Sequence, residues 1–167
     1  VPEKVSSVGT GACKGDYLNA ENMNWHFIDN EFAGVKKWDS KPSLKSKKTD
    51  SALEIEIPAA GNGKFTAVTV DLGKITVGTL NVEVDGAQGS EVLDFHYFQC
   101  LRNGIPEYLP PGGGCIIALA SRMRPAKGKS SNEFFHVMGS QHVLIIARDL
   151  TKNIKIKVNW RLHYYPF

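Results

Sequence analysis

The sequence predicts an all-β fold, an antiparallel β-sandwich of the jelly-roll type, on three observations. First, Ile154-Lys155-Ile156-Lys157-Val158-Asn159-Trp160-Arg161-Leu162-His163 places an apolar residue at every second position. That is the period of a strand buried on one face, with Ile154, Ile156, Val158, Trp160 and Leu162 toward the core. Second, short apolar or alternating segments recur between Gly- and Pro-rich turns, as they do in sandwiches and barrels. Third, no segment sustains a helical period.

Taken in chain order, residues 1–23 are rich in Ser, Gly and Asn and weakly periodic. They read as a linker or an edge segment, and residues 24–167 as the sandwich. Leu53-Glu54-Ile55-Glu56-Ile57 alternates and is stopped by Pro58, which has no amide hydrogen to give a ladder. Further strands are expected at Thr66–Leu72, Thr79–Val84, Val92–Phe98, Cys115–Ala120, Glu133–Val137 and His142–Arg148, ahead of the final one. The turn signals between them are Gly61-Asn62-Gly63, Asp85-Gly86, Asn103-Gly104 and Pro110-Pro111-Gly112-Gly113-Gly114. Tyr164-Tyr165-Pro166-Phe167 follows the last strand directly and either folds onto its own core or marks a junction with another domain.

Size and composition fit one globular domain. The chain has 167 residues, 42% hydrophobic and 22% charged, and a domain of about 150 residues hides roughly 70% of its unfolded surface. No apolar run approaches the ~20 residues of a membrane-spanning helix. Val1-Pro2-Glu3-Lys4 has neither an initiator Met nor a signal stretch, which predicts a processed or excised start. The net charge of +3 is too small to argue for nucleic acid. One basic stretch stands out, because Lys36, Lys37, Lys41, Lys45, Lys47 and Lys48 face only Asp39. It reads as a solvated loop or as contact surface for an acidic polymer such as a uronate-rich polysaccharide. Cys13, Cys100 and Cys115 are odd in number and lack C-x-x-C spacing, so neither a zinc site nor a thioredoxin-like centre is supported. Cys100 and Cys115 read as a bridge or as free thiols.

Catalytic signatures fail on inspection. Gly128-Lys129-Ser130 lacks the leading glycine of a phosphate loop, since Met123 stands there, and no helix follows. Gly9-Thr10-Gly11 has no apolar strand before it, and neither a G-x-S-x-G elbow nor an H-E-x-x-H helix occurs. His96, between Phe95 and Tyr97, reads as a hydrogen-bonded sheet residue. Glu54 and Glu56 have the spacing of a glycosidase carboxylate pair, but they share the face opposite an apolar row and read as solvated surface.

Two segments retain chemical interest. Asn24-Trp25-His26-Phe27-Ile28-Asp29-Asn30-Glu31-Phe32, followed by Trp38, mixes aromatic faces with carboxylate and amide oxygens on an expected loop. Trp25 and Trp38 suit stacking on a sugar ring, while Asp29, Asn30 and Glu31 suit sugar hydroxyls or Ca²⁺. The alternative is that Trp25, Phe32 and Trp38 plug one end of the sandwich. The second segment, Arg102-Asn103-Gly104-Ile105-Pro106-Glu107-Tyr108, reads as a solvated connection with turn chemistry.

Together these stretches resemble a known family. Ile28-Asp29-Asn30-Glu31-Phe32-Ala33 through Trp38, Val70-Asp71-Leu72-Gly73 through Val84, Gly86-Ala87-Gln88-Gly89 through Tyr97, and Phe134-Phe135-His136-Val137-Met138-Gly139 through Ile146 occur in the right order. They look like the accessory β-sandwich domain that precedes the catalytic barrel in bacterial α-L-rhamnosidases of glycoside hydrolase family 78. Three positions depart from that pattern. Ala33-Gly34 replaces an acidic pair, Gln99-Cys100 stands where a glutamate is common, and Gln141-His142 replaces Arg-Tyr.

The resemblance implies a galactose-binding-like jelly roll without catalytic residues of its own. The acids that hydrolyse terminal α-L-rhamnose would sit on a barrel outside this chain. It further implies a rhamnosyl or pectic glycan as ligand, Ca²⁺ as an optional cofactor, the parent's catalytic domain as partner, and a secreted, periplasmic or cell-surface location. Two roles follow from it, carbohydrate binding or purely structural docking on the barrel.

Overall fold

The computed structural model describes residues 1–35, 38–40, 42–107 and 119–163. Lys36, Lys37, Lys41, Tyr108, Cys115, the first part of the expected strand Cys115–Ala120, and Tyr164-Tyr165-Pro166-Phe167 lie outside the described residues. The strands are β1 (Lys4–Ala12), β2 (Ser46–Lys48), β3 (Leu53–Ile57), β4 (Lys64–Ala87), β5 (Val92–Phe98), β6 (Leu101–Arg102), β7 (Ile105–Pro106), β8 (Leu119–Met123), β9 (Gly128–Glu133), β10 (Met138–Arg148) and β11 (Ile154–Leu162). All the pairings are antiparallel.

β4 organises the sandwich. In its first part Val70 lies opposite Val5 of β1 and Val143 of β10, and in its second Val82 lies opposite Val158 of β11 and Asn132 of β9. One sheet therefore runs β1-β4-β10-β5-β8 and the other β9-β4-β11-β3-β2. The sequence predicts two strands here, Thr66–Leu72 and Thr79–Val84, but the chain kinks without breaking. No proline removes a donor between residues 64 and 87. Gly73 turns at φ 85°, with its N–H donated to Asp71 Oδ1 at 2.7 Å.

The core follows from the alternation. Leu53, Ile55 and Ile57 of β3 and Ile154, Ile156, Val158 and Trp160 of β11 meet Val68, Val70, Val82 and Val84 of β4, with Leu93, Phe95 and Tyr97 of β5. Leu162, expected inside, is exposed at the end of its strand instead. Gly78 is required beside it, because the Trp160 indole nitrogen comes within 2.6 Å of where a Cβ would stand. The expected strand Glu133–Val137 is also displaced. Pairing with β4 runs from Gly128 to Glu133 and resumes with β10 at Met138, which leaves Phe135 81% exposed between them.

Candidate functional site

The two sheets have very different outer faces. On the β1-β4-β10-β5-β8 sheet the strands β5 and β10 are buried on both sides, which a continuous apolar run such as Val143-Leu144-Ile145-Ile146 dictates. The cover is the segment 13–35 together with Trp38. Within it Met23–His26 is α-helical, Phe27–Glu31 is a π-turn and Phe32–Gly34 a 3₁₀ turn. The Asn22 side chain caps it by accepting the Trp25 N–H at 3.0 Å.

The sequence reads this stretch as a loop, but as a helix it separates the expected site residues. Phe27 and Glu31 turn inward, while Asp29 and Asn30 face solvent. Phe27 enters a second core with Phe65, Ala67, Phe98, Leu144 and Ile146. Trp38 packs on Phe32 with ring centroids 6.0 Å apart, and over Gly9. Trp25 stays 40% exposed. Asn30 donates its amide to His26 O at 2.9 Å.

Glu31 has a different task from the expected one. It is fully buried, and its carboxylate accepts Arg148 Nη2 at 2.6 Å and the Lys14 N–H at 3.1 Å. Arg148 also donates Nη1 to Asp94 at 2.5 Å, and Asp94 is forked by Arg122 at 2.6 and 2.8 Å. Tyr17 lies under the Arg148 guanidinium, 5.0 Å away, and donates its hydroxyl to Asp149. Burial pushes the Asp94 carboxyl up, but Arg122 and Arg148 outweigh it and hold the group below its ordinary value. Glu31 thus belongs to a buried ion network, where the sequence expects it to face a sugar or metal. Among the described residues no group of three or more His, Cys, Asp and Glu side chains could hold a metal ion.

Other reactive side chains here are equally committed. Burial pushes the Cys13 thiol up to about 12, which leaves it without thiolate character. His96, in edge contact with Phe27 at 5.5 Å, is pulled down to about 3 by burial and stays neutral. Both are packing residues.

The outer face of the β9-β4-β11-β3-β2 sheet is open. It forms a trough of about 560 Å³ lined by the outward side chains of all five strands. The register sets two rows across it. One runs Lys129, Asp85, Lys155, Glu56 and Lys45, and the other Ser131, Glu83, Lys157, Glu54 and Lys47. Charge thus alternates from strand to strand, with basic residues on both rims and along the middle.

Lys157 meets Glu54 at 3.0 Å, Lys45 meets Glu56 at 3.5 Å and Lys129 meets Glu83 at 4.0 Å. The bond from Lys157 lowers the Glu54 carboxyl, and those from Asn153 and Lys45 lower Glu56. Both are therefore ionised at neutral pH and neither can serve as a general acid. Among the described lining residues none is aromatic. The sequence reads Glu54 and Glu56 as solvated surface, and Lys45, Lys47 and Lys48 as a solvated loop or as contact surface for an acidic polymer. The missed signal was the complementarity of Glu-x-Glu on β3 with Lys-x-Lys on β11.

A third surface is apolar. Ile75, Val77, Phe135, Val137 and Leu162 are exposed around the middle of β4, where Met138 and Leu162 both pair with Gly78.

No family model and no curated protein matches this chain. Among solved structures, a family 78 rhamnosidase of Bacillus sp. GL1 superposes with a TM-score of 0.55 at 17% identity, over 68% of this chain. The fold is that of one stretch of a rhamnosidase. This chain spans only 11% of that enzyme's length. A Klebsiella oxytoca rhamnosidase with rhamnose bound aligns over 96% of this chain and 29% of its own, at 10% identity and a TM-score of 0.46. A family 4 carbohydrate-binding module aligns over 72% and 78%, at 10% identity and a TM-score of 0.38.

Proposed function

We propose that this chain is a non-catalytic carbohydrate-binding domain of a longer, rhamnosidase-like glycoside hydrolase, and that the glycan lies along the trough. The observation that carries the reading is the trough itself, a concave surface lined largely by charged side chains, two pairs of which meet at 3.0 and 3.5 Å. Preorganised polar groups lower the cost of binding a hydroxyl-rich chain. The shared fold with a stretch of a family 78 rhamnosidase supports it. Such a domain raises the local concentration of substrate by making the second encounter intramolecular. A secreted or cell-surface location goes with this reading. Among the described residues no helix is long and apolar enough to cross a membrane.

Calorimetric titration with rhamnose-containing pectic fragments, with calcium and with chelator, tests the reading. The expected result is a saturable signal that chelator leaves unchanged, because Glu31 is committed to Arg148. A signal lost with chelator would move the site to Asp29 and Asn30.

A second reading is favoured by the exposed Ile75, Val77, Phe135, Val137 and Leu162, a face suited to docking on a neighbouring domain. Absence of heat with any saccharide would leave that purely structural role.

A further inference from the structure

The pattern of charge in the trough bears on which glycan it accepts, an inference that rests on the carbohydrate-binding reading above. Basic residues occupy β9, β11 and β2, the first, third and fifth strands across the face. Acidic residues fill the two strands between, Glu83 and Asp85 on β4, Glu54 and Glu56 on β3. Adjacent strands lie about 4.8 Å apart, so successive basic stripes are about 10 Å apart.

Not every lysine of the trough is in a close ion pair. Lys157, Lys45 and Lys129 have carboxylate partners within 4.0 Å. Among the described residues Lys47 and Lys155 have none at that distance, one on the β2 rim and the other on the middle strand. Lys47 and Lys155, two strands apart and beyond ion-pair distance of the carboxylates they face across the strands, offer sites for two anionic groups along a ligand that crosses the strands. Without an aromatic among the described lining residues, stacking on a neutral ring is not what this surface provides. The lysine-rich stretch before β3 contributes here, since Lys45, Ser46 and Lys47 form one wall.

We propose that the trough binds a linear polysaccharide carrying a carboxylate on every second sugar, its uronates set over Lys47 and Lys155. A pyranose ring spans about one strand spacing, so alternate sugars meet alternate strands. The neutral sugar between them lies over β3, where the ionised carboxylates of Glu54 and Glu56 accept hydroxyl hydrogens.

The test is titration of the whole chain with an oligosaccharide of alternating rhamnose and galacturonate, and with the same oligosaccharide after reduction of its carboxyl groups. The native form should bind about tenfold more tightly or better, and lose about tenfold between 0.1 and 1 M salt, where the Debye length shrinks from about 10 to about 3 Å. The variant Lys47→Gln/Lys155→Gln should lose a similar factor, whereas Lys74→Gln, exposed away from the trough, should not. Circular dichroism of each variant checks that it is folded. Equal affinity for native and reduced forms would overturn the anionic ligand while leaving a carbohydrate domain. Failure of both forms to bind would overturn the two readings together. Wild-type affinity in the double lysine variant would overturn the trough as the place.

Discussion

The two outer faces carry the same kinds of side chain to opposite ends. Under the cover, Glu31, Arg148, Asp94 and Arg122 are linked by short bonds, with Glu31, Arg148 and Asp94 out of reach of water. Across the trough, Glu54, Lys157, Glu83 and Lys129 stand in solvent at 3.0 to 4.0 Å. Burial decides the difference. A buried ion left without its partner keeps the full desolvation penalty, whereas an exposed one is rehydrated and screened. The covered face is therefore fastened by its charges, and the open face is left free to exchange its pairs with a ligand.

Removing Arg148 should have the largest effect. Arg148→Met leaves Glu31 in the interior without its ion partner, while Asp94 keeps only Arg122, and is expected to cost about 3–5 kcal/mol, read from urea unfolding. A cost near that of a surface pair would show that the network contributes little to holding the cover.

Acid should produce a smaller, graded effect. His96 is held down to about 3 in the folded protein against an ordinary value of 6.5. A depressed value means that its contribution is complete above pH 6.5 and is lost as the pH falls toward 3, because the unfolded chain takes up the proton first. One such group gives a slope of at most about 1.4 kcal/mol per pH unit. His142, also lowered by burial, adds in the same sense. His96→Phe should flatten the fall in urea midpoint between pH 6 and pH 4. An unchanged slope would place the acid sensitivity elsewhere.

The smallest effect belongs to the open face. Lys157→Ala should leave the urea midpoint close to that of the unsubstituted protein, and closer still in high salt. A larger loss would show that the trough pairs fasten the sheet as the buried ones fasten the cover.

Much of the fold was legible because a strand buried on one face leaves an alternating record. β3 and most of β11 are examples, their apolar residues being the buried ones. The edge strands were less legible. β1, β2 and β9 are dominated by Ser, Gly and Lys, with Val5 and Val8 their only large apolar residues, since an edge strand has less to bury.

The candidate site failed for a different reason. Glu31 reads as an exposed ligand until the helix places it one turn after Phe27, on the inward side. A clue was nevertheless present. Asp94 inside Val92-Leu93-Asp94-Phe95 and Arg148 after Val143-Leu144-Ile145-Ile146-Ala147 are charges within apolar runs. Charges so placed call for buried partners.

β4 passes from one layer to the other as continuous backbone, hydrogen-bonded to β1 and β10 at one end and to β11 and β9 at the other. The two layers consequently have no seam along which one could peel away and leave its neighbour standing. Disturbance that begins at the trough is expected to reach the fastened side through this shared spine, so that the two layers melt together.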